Sequence, residues 1–235
     1  MNKKTFVIIP AFNEEQSVGA VVKGALRNGH ITCCVVVDDC SSDKTASVAL
    51  KAGAHVIRKN HNEGTGAATK TGLAYAMKHG ADAVIFMDAD GQHDPKYIQL
   101  LLSEAQTHDM VIGSRYIQPT ANNTSSLRKL GTKIISLLIR LRYEKQVYDP
   151  TSGFRLVNKK ALQYLSNHYP TVFPEPEATI GLIRRGYMIK EVSVCMKPRI
   201  FGRSSISSWD ACRLMAYIVG VILMDTMHAQ YNVGT

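Results

Sequence analysis

The segment Asp88-Ala89-Asp90-Gly91-Gln92-His93 closes an apolar run that begins at Val84, so two carboxylates spaced Asp-x-Asp stand where a short buried strand stops. In an extended segment the side chains at i and i+2 point the same way, which lets Asp88 and Asp90 face one ion together. Hard oxygen donors suit Mg²⁺ or Mn²⁺ better than zinc. An ion given so few protein ligands takes its remaining oxygens from water and a diphosphate, and the segment therefore points to a nucleotide substrate. Acids at a strand end also serve solvated turns, so the rest of the chain has to decide.

The elements that would position these acids alternate along the first half of the chain. Thr5–Pro10, Cys33–Asp38, His55–Arg58, Ala83–Asp88 and Asp109–Gly113 are short apolar runs. Helix-like segments near Glu15–Asn28, Lys44–Ala52, Gly66–His79 and Pro95–Ala105 separate them. This order predicts βα units feeding a mainly parallel sheet, in which ligands bind outside the carboxyl ends of the strands. The polar clusters Ala11–Glu14, Asp38–Asp43, Asn60–Gly64, Asp88–Asp90 and Gly113–Tyr116 all follow strand ends, so five loops are expected to converge on one crevice. Asp94-Pro95 reads as an N-cap and first helical residue just beyond the acids.

The chain has 235 residues, enough for one large domain or two small ones, and is 45% hydrophobic and 20% charged, as globular proteins are. Its 28 Lys+Arg against 19 Asp+Glu give a formal net charge of +9. That excess calls for an anionic partner: nucleic acid, an acidic membrane surface or a phosphorylated substrate. The basic residues are not interleaved with aromatics in a nucleic-acid motif and aromatic content is 7%, so nucleic acid is not expected. Cys33, Cys34, Cys40, Cys195 and Cys212 show no C-x-x-C spacing, which indicates free thiols in a reducing compartment rather than zinc ligands or disulfides. Met1–Thr5 runs directly into a strand without a signal-peptide core, so general secretion is not expected.

After Tyr116 the character changes. Gln118–Ser126 is rich in Pro, Thr, Asn and Ser and reads as a loop. Ser125–Tyr143 then sets Leu127, Leu130, Ile134, Leu137, Leu138 and Leu141 at spacings of three and four, with Arg128, Lys129, Lys133 and Arg140 off that stripe. Such a basic amphipathic helix packs on the protein's own core or lies at an anionic membrane surface. A second apolar stretch, Ala211–Met224, carries Arg213 and falls short of the roughly 20 residues that span a bilayer.

Taken in order, Val7–Glu15, Val37–Thr45, Asn62–Ala67 and Asp88–His93 resemble family-2 glycosyltransferases with the GT-A nucleotide-sugar-binding fold, an α/β fold with a mainly parallel central sheet flanked by helices. Gly113-Ser114-Arg115, Asp149–Arg155 and Arg199–Ser204 are similar to the polyprenyl-phosphate branch, which includes dolichyl-phosphate mannose synthases and bacterial undecaprenyl-phosphate glucosyltransferases. The expected organisation is a catalytic domain over residues 1–206 and an amphipathic C-terminal tail over 207–235.

The resemblance implies that Pro10, Phe12 and Glu14 hold the nucleoside, with Phe12 against the base and Glu14 on ribose hydroxyls. Asp38 or Asp39 would read the base. Gly64, Ala89, Gln92, Arg155 and Ser204 would line the substrate site, and Asp88, Asp90 and Gln92 would surround the metal. Arg115, Arg155 and Arg199 could position an acceptor phosphate by bidentate hydrogen bonds. Asp149 would act as base if one is needed, orient Arg155, or contact the donor sugar. Glu175 and Glu177 would contact the acceptor or simply belong to a rigid proline turn. Two positions depart from the family pattern: Cys40 stands where a Gly is usual, and Thr65 where a Lys is common. The implied activity is inverting, metal-dependent transfer of one sugar from a UDP- or GDP-linked donor to a polyprenyl phosphate. It would take place at the cytoplasmic membrane face, with peripheral attachment, directly or through a separate small membrane protein, and with room for a homo-oligomer. The competing reading keeps the donor half and uses a saccharide acceptor instead.

Overall fold

Hydrophobic periodicity of two on both faces of the strands builds the centre of the molecule. In the computed structural model, which describes residues 3–118, 126–199, 213 and 216–220, β1 (Thr5–Ala11) is almost wholly buried and sends Phe6 and Ile8 into one core cluster, Val7 and Ile9 into the other. A strand buried on both sides reads as a continuous apolar run, and helices must cover each face. The helices do so: α3 (Thr65–Lys78) and α6 (Lys159–His168) sit with the first cluster, α1 (Val18–Leu26) and α4 (Ile98–Glu104) with the second.

The sheet has seven strands in the order β3-β2-β1-β4-β6-β5-β7, with β2 at Ile31–Asp38, β3 at His55–Arg58, β4 at Ala83–Phe86, β5 at Met110–Ser114, β6 at Arg155–Asn158 and β7 at Ile189–Ser193. All neighbouring pairs are parallel except those made by β6, which runs antiparallel between β4 and β5. The chain leaves β1 in one direction through β2 and β3 and returns to its other side with β4, so the switch point, where α/β sheets bind ligands, lies at the carboxyl ends of β1 and β4. Because β6 is reversed, the segment 149–154 that enters it arrives at that same edge. The segment after β7 leaves from there too.

The mainly parallel α/β architecture is as the sequence implied, and the five forecast strands are present. β4 is shorter than expected. It stops at Phe86, and Asp88 lies beyond the ladder, so strand alternation does not aim the two acids. α2 (Thr45–Lys51) and α5 (Ser126–Tyr143) occur where helices were expected, while β6, α6, α7 (Pro174–Arg184) and β7 add a second half that the alternation did not reveal. Of the tail beyond residue 206, only 213 and 216–220 are described. Ile218 is buried with the first cluster, and the Tyr217 hydroxyl donates to Glu177 Oε2 at 3.1 Å.

α5 turns its faces in a way the residue spacing left open. Thr132, Ile135, Ser136 and Ile139 are buried, whereas Leu130, Ile134, Leu137 and Leu141 are exposed, by 37–70%. Four residues of the apolar stripe read from the sequence thus point away from the core, while Leu138 packs against it. No described helix is long and apolar enough to cross a membrane.

Candidate active site

The loops after β1 and β2 are sewn together by short polar side chains. Asn13, at φ 55°, accepts the Ser42 backbone N–H at 2.9 Å, and its own N–H goes to Ser41 Oγ at 2.9 Å. Glu14 N–H donates to Thr45 Oγ1 at 2.8 Å. The stitching leaves Phe12 48% exposed on the loop after β1. Cys40 takes φ 65°, the left-handed conformation that the usual glycine adopts without strain, so the turn keeps the shape despite the side chain.

Asp38 and Asp39 differ in what they hold. Asp39 accepts the backbone N–H groups of Glu63 and Gly64, the latter at 2.7 Å, and fixes the loop that leads into α3. Asp38 is fully buried. Its Oδ1 accepts the Ser41 N–H, and its Oδ2 makes no hydrogen bond but lies 3.3 Å from Arg58 Nε.

After β4, a tight loop carries the metal candidates. Gln92 N–H donates to Asp90 Oδ1 at 3.0 Å, and Gly91 supplies the positive φ of 78° that closes the turn. Burial, then the Asp88 charge, pushes the Asp90 carboxyl above its ordinary range. Two acids pressed together in this way are what a divalent cation would relieve, and carboxylate oxygens are its preferred donors. Gly153 adds a cradle: a Cβ there would stand 3.1 Å from both Asp88 carboxylate oxygens. The residues therefore fit a divalent ion. No group of three or more His, Cys, Asp or Glu side chains clusters among the described residues. Gln92 directs its Nε2 to the Lys197 carbonyl at 3.2 Å. Ala89 is buried inside the turn. Gly153→Ala is expected to displace the Asp88 carboxylate and lower activity by about tenfold or more, in line with the roughly 10²-fold cost of a 1 Å misplacement near the chemistry; steady-state assay beside a thermal melt checks this.

The arginines take three distinct positions. Arg115 donates from Nε and Nη2 to the two oxygens of Asp149, both at 2.7 Å, and from Nη2 to Thr151 Oγ1 at 3.1 Å. Burial works against its charge, but the Asp149 hydrogen bonds and charge outweigh it and hold the guanidinium above its ordinary pKa. Arg155 is 1% exposed and turns inwards. It donates to the carbonyls of Ser152, Pro150 and Glu175 and to Thr179 Oγ1, and burial pulls its pKa down. Asp149 thus orients Arg115, not Arg155. Arg199 reaches across to the loop after β1, where Nη2 pairs with Glu14 Oε1 and Nη1 stands 3.8 Å from Asp90 Oδ2. Ser204 lies outside the described residues.

Pro10, Thr65, Asp88, Gly153, Arg155 and Glu175 line one small cavity at the β1/β4 switch point, against Tyr169. Gly66, in the first turn of α3, lets that wall close, since a Cβ there would sit 2.5 Å from the Thr171 carbonyl oxygen. Glu177 is used structurally: its Oε1 accepts the Phe173 N–H at 2.9 Å at the start of α7. Thr69, Gly153, Tyr169 and His93 were not singled out from the sequence as site residues. His93, at the end of the Asp88–His93 run, and Gly153, inside the Asp149–Arg155 motif, carried a signal there; Thr69 and Tyr169 carried none.

Residues 6–165, more than half of the chain, match the model of the family described as "Glycosyl transferase family 2". The chain belongs to that family. Among relatives of this family-2 glycosyltransferase, an undecaprenyl-phosphate mannosyltransferase of Micrococcus luteus is 30% identical over 217 residues, which cover 87% of this chain and 88% of the relative. A UDP-N-acetylglucosamine–dolichyl-phosphate N-acetylglucosaminyltransferase of Methanococcus voltae is 33% identical over 187 residues, covering 70% and 73%. The fold is also that of Mycobacterium tuberculosis glucosyl-3-phosphoglycerate synthase. Its crystal structure with Mn²⁺, UDP and product superposes with a TM-score of 0.73 at 23% identity, over 95% of this chain and 79% of that one. The chain is a glycosyltransferase with the GT-A fold, as its motifs implied.

Proposed function

We propose that this glycosyltransferase moves one sugar, with inversion, from a nucleotide-sugar to a polyprenyl phosphate at the cytoplasmic face of a membrane. Asp88, Asp90 and Gln92 would hold Mg²⁺ or Mn²⁺. The observation that carries the reading is the arrangement at the switch point, where Asp88 and the buried Arg155 line one cavity and Arg199 Nη1 stands 3.8 Å from Asp90 Oδ2. A site with paired acids beside buried guanidinium groups suits two substrates that are both anionic, one brought by a cation and one by arginine. The names of the relatives, which act on undecaprenyl and dolichyl phosphates, support the same acceptor class.

A bound divalent ion would stabilise the negative charge that grows on the departing diphosphate. Phe12 offers its exposed face to the base and Glu14 its carboxylate to the ribose once Arg199 turns to the phosphates. A hydroxyl acceptor would require a general base. Asp149, the carboxylate best placed in sequence for that task, is sealed and committed to Arg115, which favours an acceptor that is already an anion. Asp149 therefore positions Arg115 towards the acceptor phosphate, and Arg155 acts from beneath by fixing the 150–152 turn.

The exposed stripe of α5 supports membrane attachment. Leu130, Ile134, Leu137 and Leu141 run along one side with Lys133 and Arg140 exposed beside them, the pattern of a helix that lies in an anionic interface. Leu137→Glu with Leu141→Glu is expected to reduce binding to vesicles containing anionic lipid by at least tenfold, since each buried leucine contributes about 1.5–3 kcal/mol. Cosedimentation measures it, and unchanged binding would move attachment elsewhere.

The deciding experiment incubates the purified chain with Mn²⁺ or Mg²⁺, labelled UDP- and GDP-sugars and a short polyprenyl phosphate, and follows label into the organic phase. Metal-dependent lipid product from one donor is expected. Transfer to a saccharide with none to lipid phosphate would overturn the acceptor assignment.

A further inference from the structure

We propose that His93 is the positioning residue of the acidic loop, setting Asp88 through its backbone; this rests on the reading of Asp88 and Asp90 as the metal-binding acids. β4 ends at Phe86, and the Met87 N–H to Ile8 carbonyl bond at 3.1 Å is the last contact that ties this strand end to β1. Nothing in the sheet then fixes Asp88. The Asp88 N–H instead donates to His93 Nδ1 at 3.0 Å, which closes the loop 88–93 on itself.

A backbone N–H can only donate, so Nδ1 must be bare and the proton of the neutral ring sits on Nε2. Nε2 faces the Asp88 carboxylate, 3.5 Å from Oδ2. One nitrogen of the ring therefore holds the main chain of Asp88 while the other faces the carboxylate of the same acid. The ring itself is held firmly: it is 3% exposed and stacks on Phe154, with centroids 5.0 Å apart and planes at 16°. Gly153 completes the fit, because a Cβ there would lie 3.4 Å from His93 Cε1 as well as 3.1 Å from the Asp88 oxygens. The strand-entry segment 153–154 thereby sets His93, and His93 sets Asp88. Partners of this kind fix the orientation of metal-binding groups, and losing one typically costs about 10–100-fold in metal affinity.

The two ring nitrogens can be tested apart. Asparagine places its carbonyl oxygen where Nδ1 was, and glutamine reaches the Nε2 position but leaves the Asp88 N–H without an acceptor. Phenylalanine keeps the stack on Phe154 and removes both. Mn²⁺ binding, read from the loss of the free-ion EPR signal in the presence of UDP and separately of GDP, should stay within about threefold of wild type in His93→Asn and weaken by about 10–100-fold in His93→Gln and His93→Phe. Thermal melts report folding, and if His93→Phe is unfolded, the Asn-against-Gln comparison stands by itself, since neither stacks. An asparagine variant that binds no better than glutamine, or a folded phenylalanine variant that binds like wild type, overturns the proposal. Wild-type protein that takes up no Mn²⁺ with either nucleotide overturns the metal reading beneath it, before any substitution is compared.

Discussion

Asp90→Asn is expected to reduce sugar transfer by about 10³-fold while leaving the metal-free protein at least as stable as wild type, because removing one charge-stabilising group from an active site typically costs about 10²–10³-fold. Asparagine has the same shape and keeps an oxygen to accept the Gln92 N–H that Asp90 Oδ1 now receives at 3.0 Å. The turn should survive. What disappears is a buried charge that burial and Asp88 already disfavour, so folding without metal loses a penalty rather than a support. The pair with Arg199, 3.8 Å away across a partly exposed side chain, is too long to reverse that balance. Function and stability therefore move in opposite directions, as they do at sites where strain is kept for chemistry. The measurement is transfer rate beside thermal melts with and without Mn²⁺: wild type should gain stability from the ion and the variant should not. Full transfer by Asp90→Asn with metal present would remove the proposed role of this carboxylate.

Much of this arrangement is legible in the residues, for a physical reason that also marks the limit. Strands buried on both faces must be continuously apolar, and β1, β2 and β4 announce themselves by that alone. β6 has four residues and opens on Arg155, and β7 reads Ile-Lys-Glu-Val-Ser, so neither offers a run long enough to notice. Their absence from the sequence reading hid the reversal that brings 149–154 to the binding edge. The acids were found, but the i, i+2 argument for how they are aimed was not the operative one: a turn closed by His93 and Gly91 does what strand alternation was expected to do. The apolar stripe of α5 was visible, yet the buried Ile135 and Ile139, with Leu138 packed beside them, show which side meets the core. Spacing gives a helix's faces and not their partners. Arg155 shows the same limit for polar groups, since a guanidinium that holds carbonyls and one that awaits a phosphate look alike in sequence.

Asp149→Ala is expected to lower the unfolding free energy by about 3–5 kcal/mol, the usual cost of stripping one partner from a buried ion pair. Asp149 is fully buried and the Arg115 side chain only 11% exposed, so solvent cannot take over when the carboxylate is gone. The Arg115 backbone N–H, which donates to Asp149 Oδ2 at 3.0 Å, loses its acceptor as well. Removing both charged groups should hurt less than removing one, because no uncompensated charge is left behind: Arg115→Met with Asp149→Leu is expected to recover at least half of the lost stability. Transfer to polyprenyl phosphate should remain absent in that double variant, which has the fold but not the guanidinium proposed to meet the acceptor. Chemical denaturation of the two single variants and the double, with transfer assayed on each folded protein, separates the roles. A cost near 1 kcal/mol for Asp149→Ala would show that the pair does not clamp the 149–152 turn. Transfer restored along with stability in the double variant would show that Arg115 serves the fold alone.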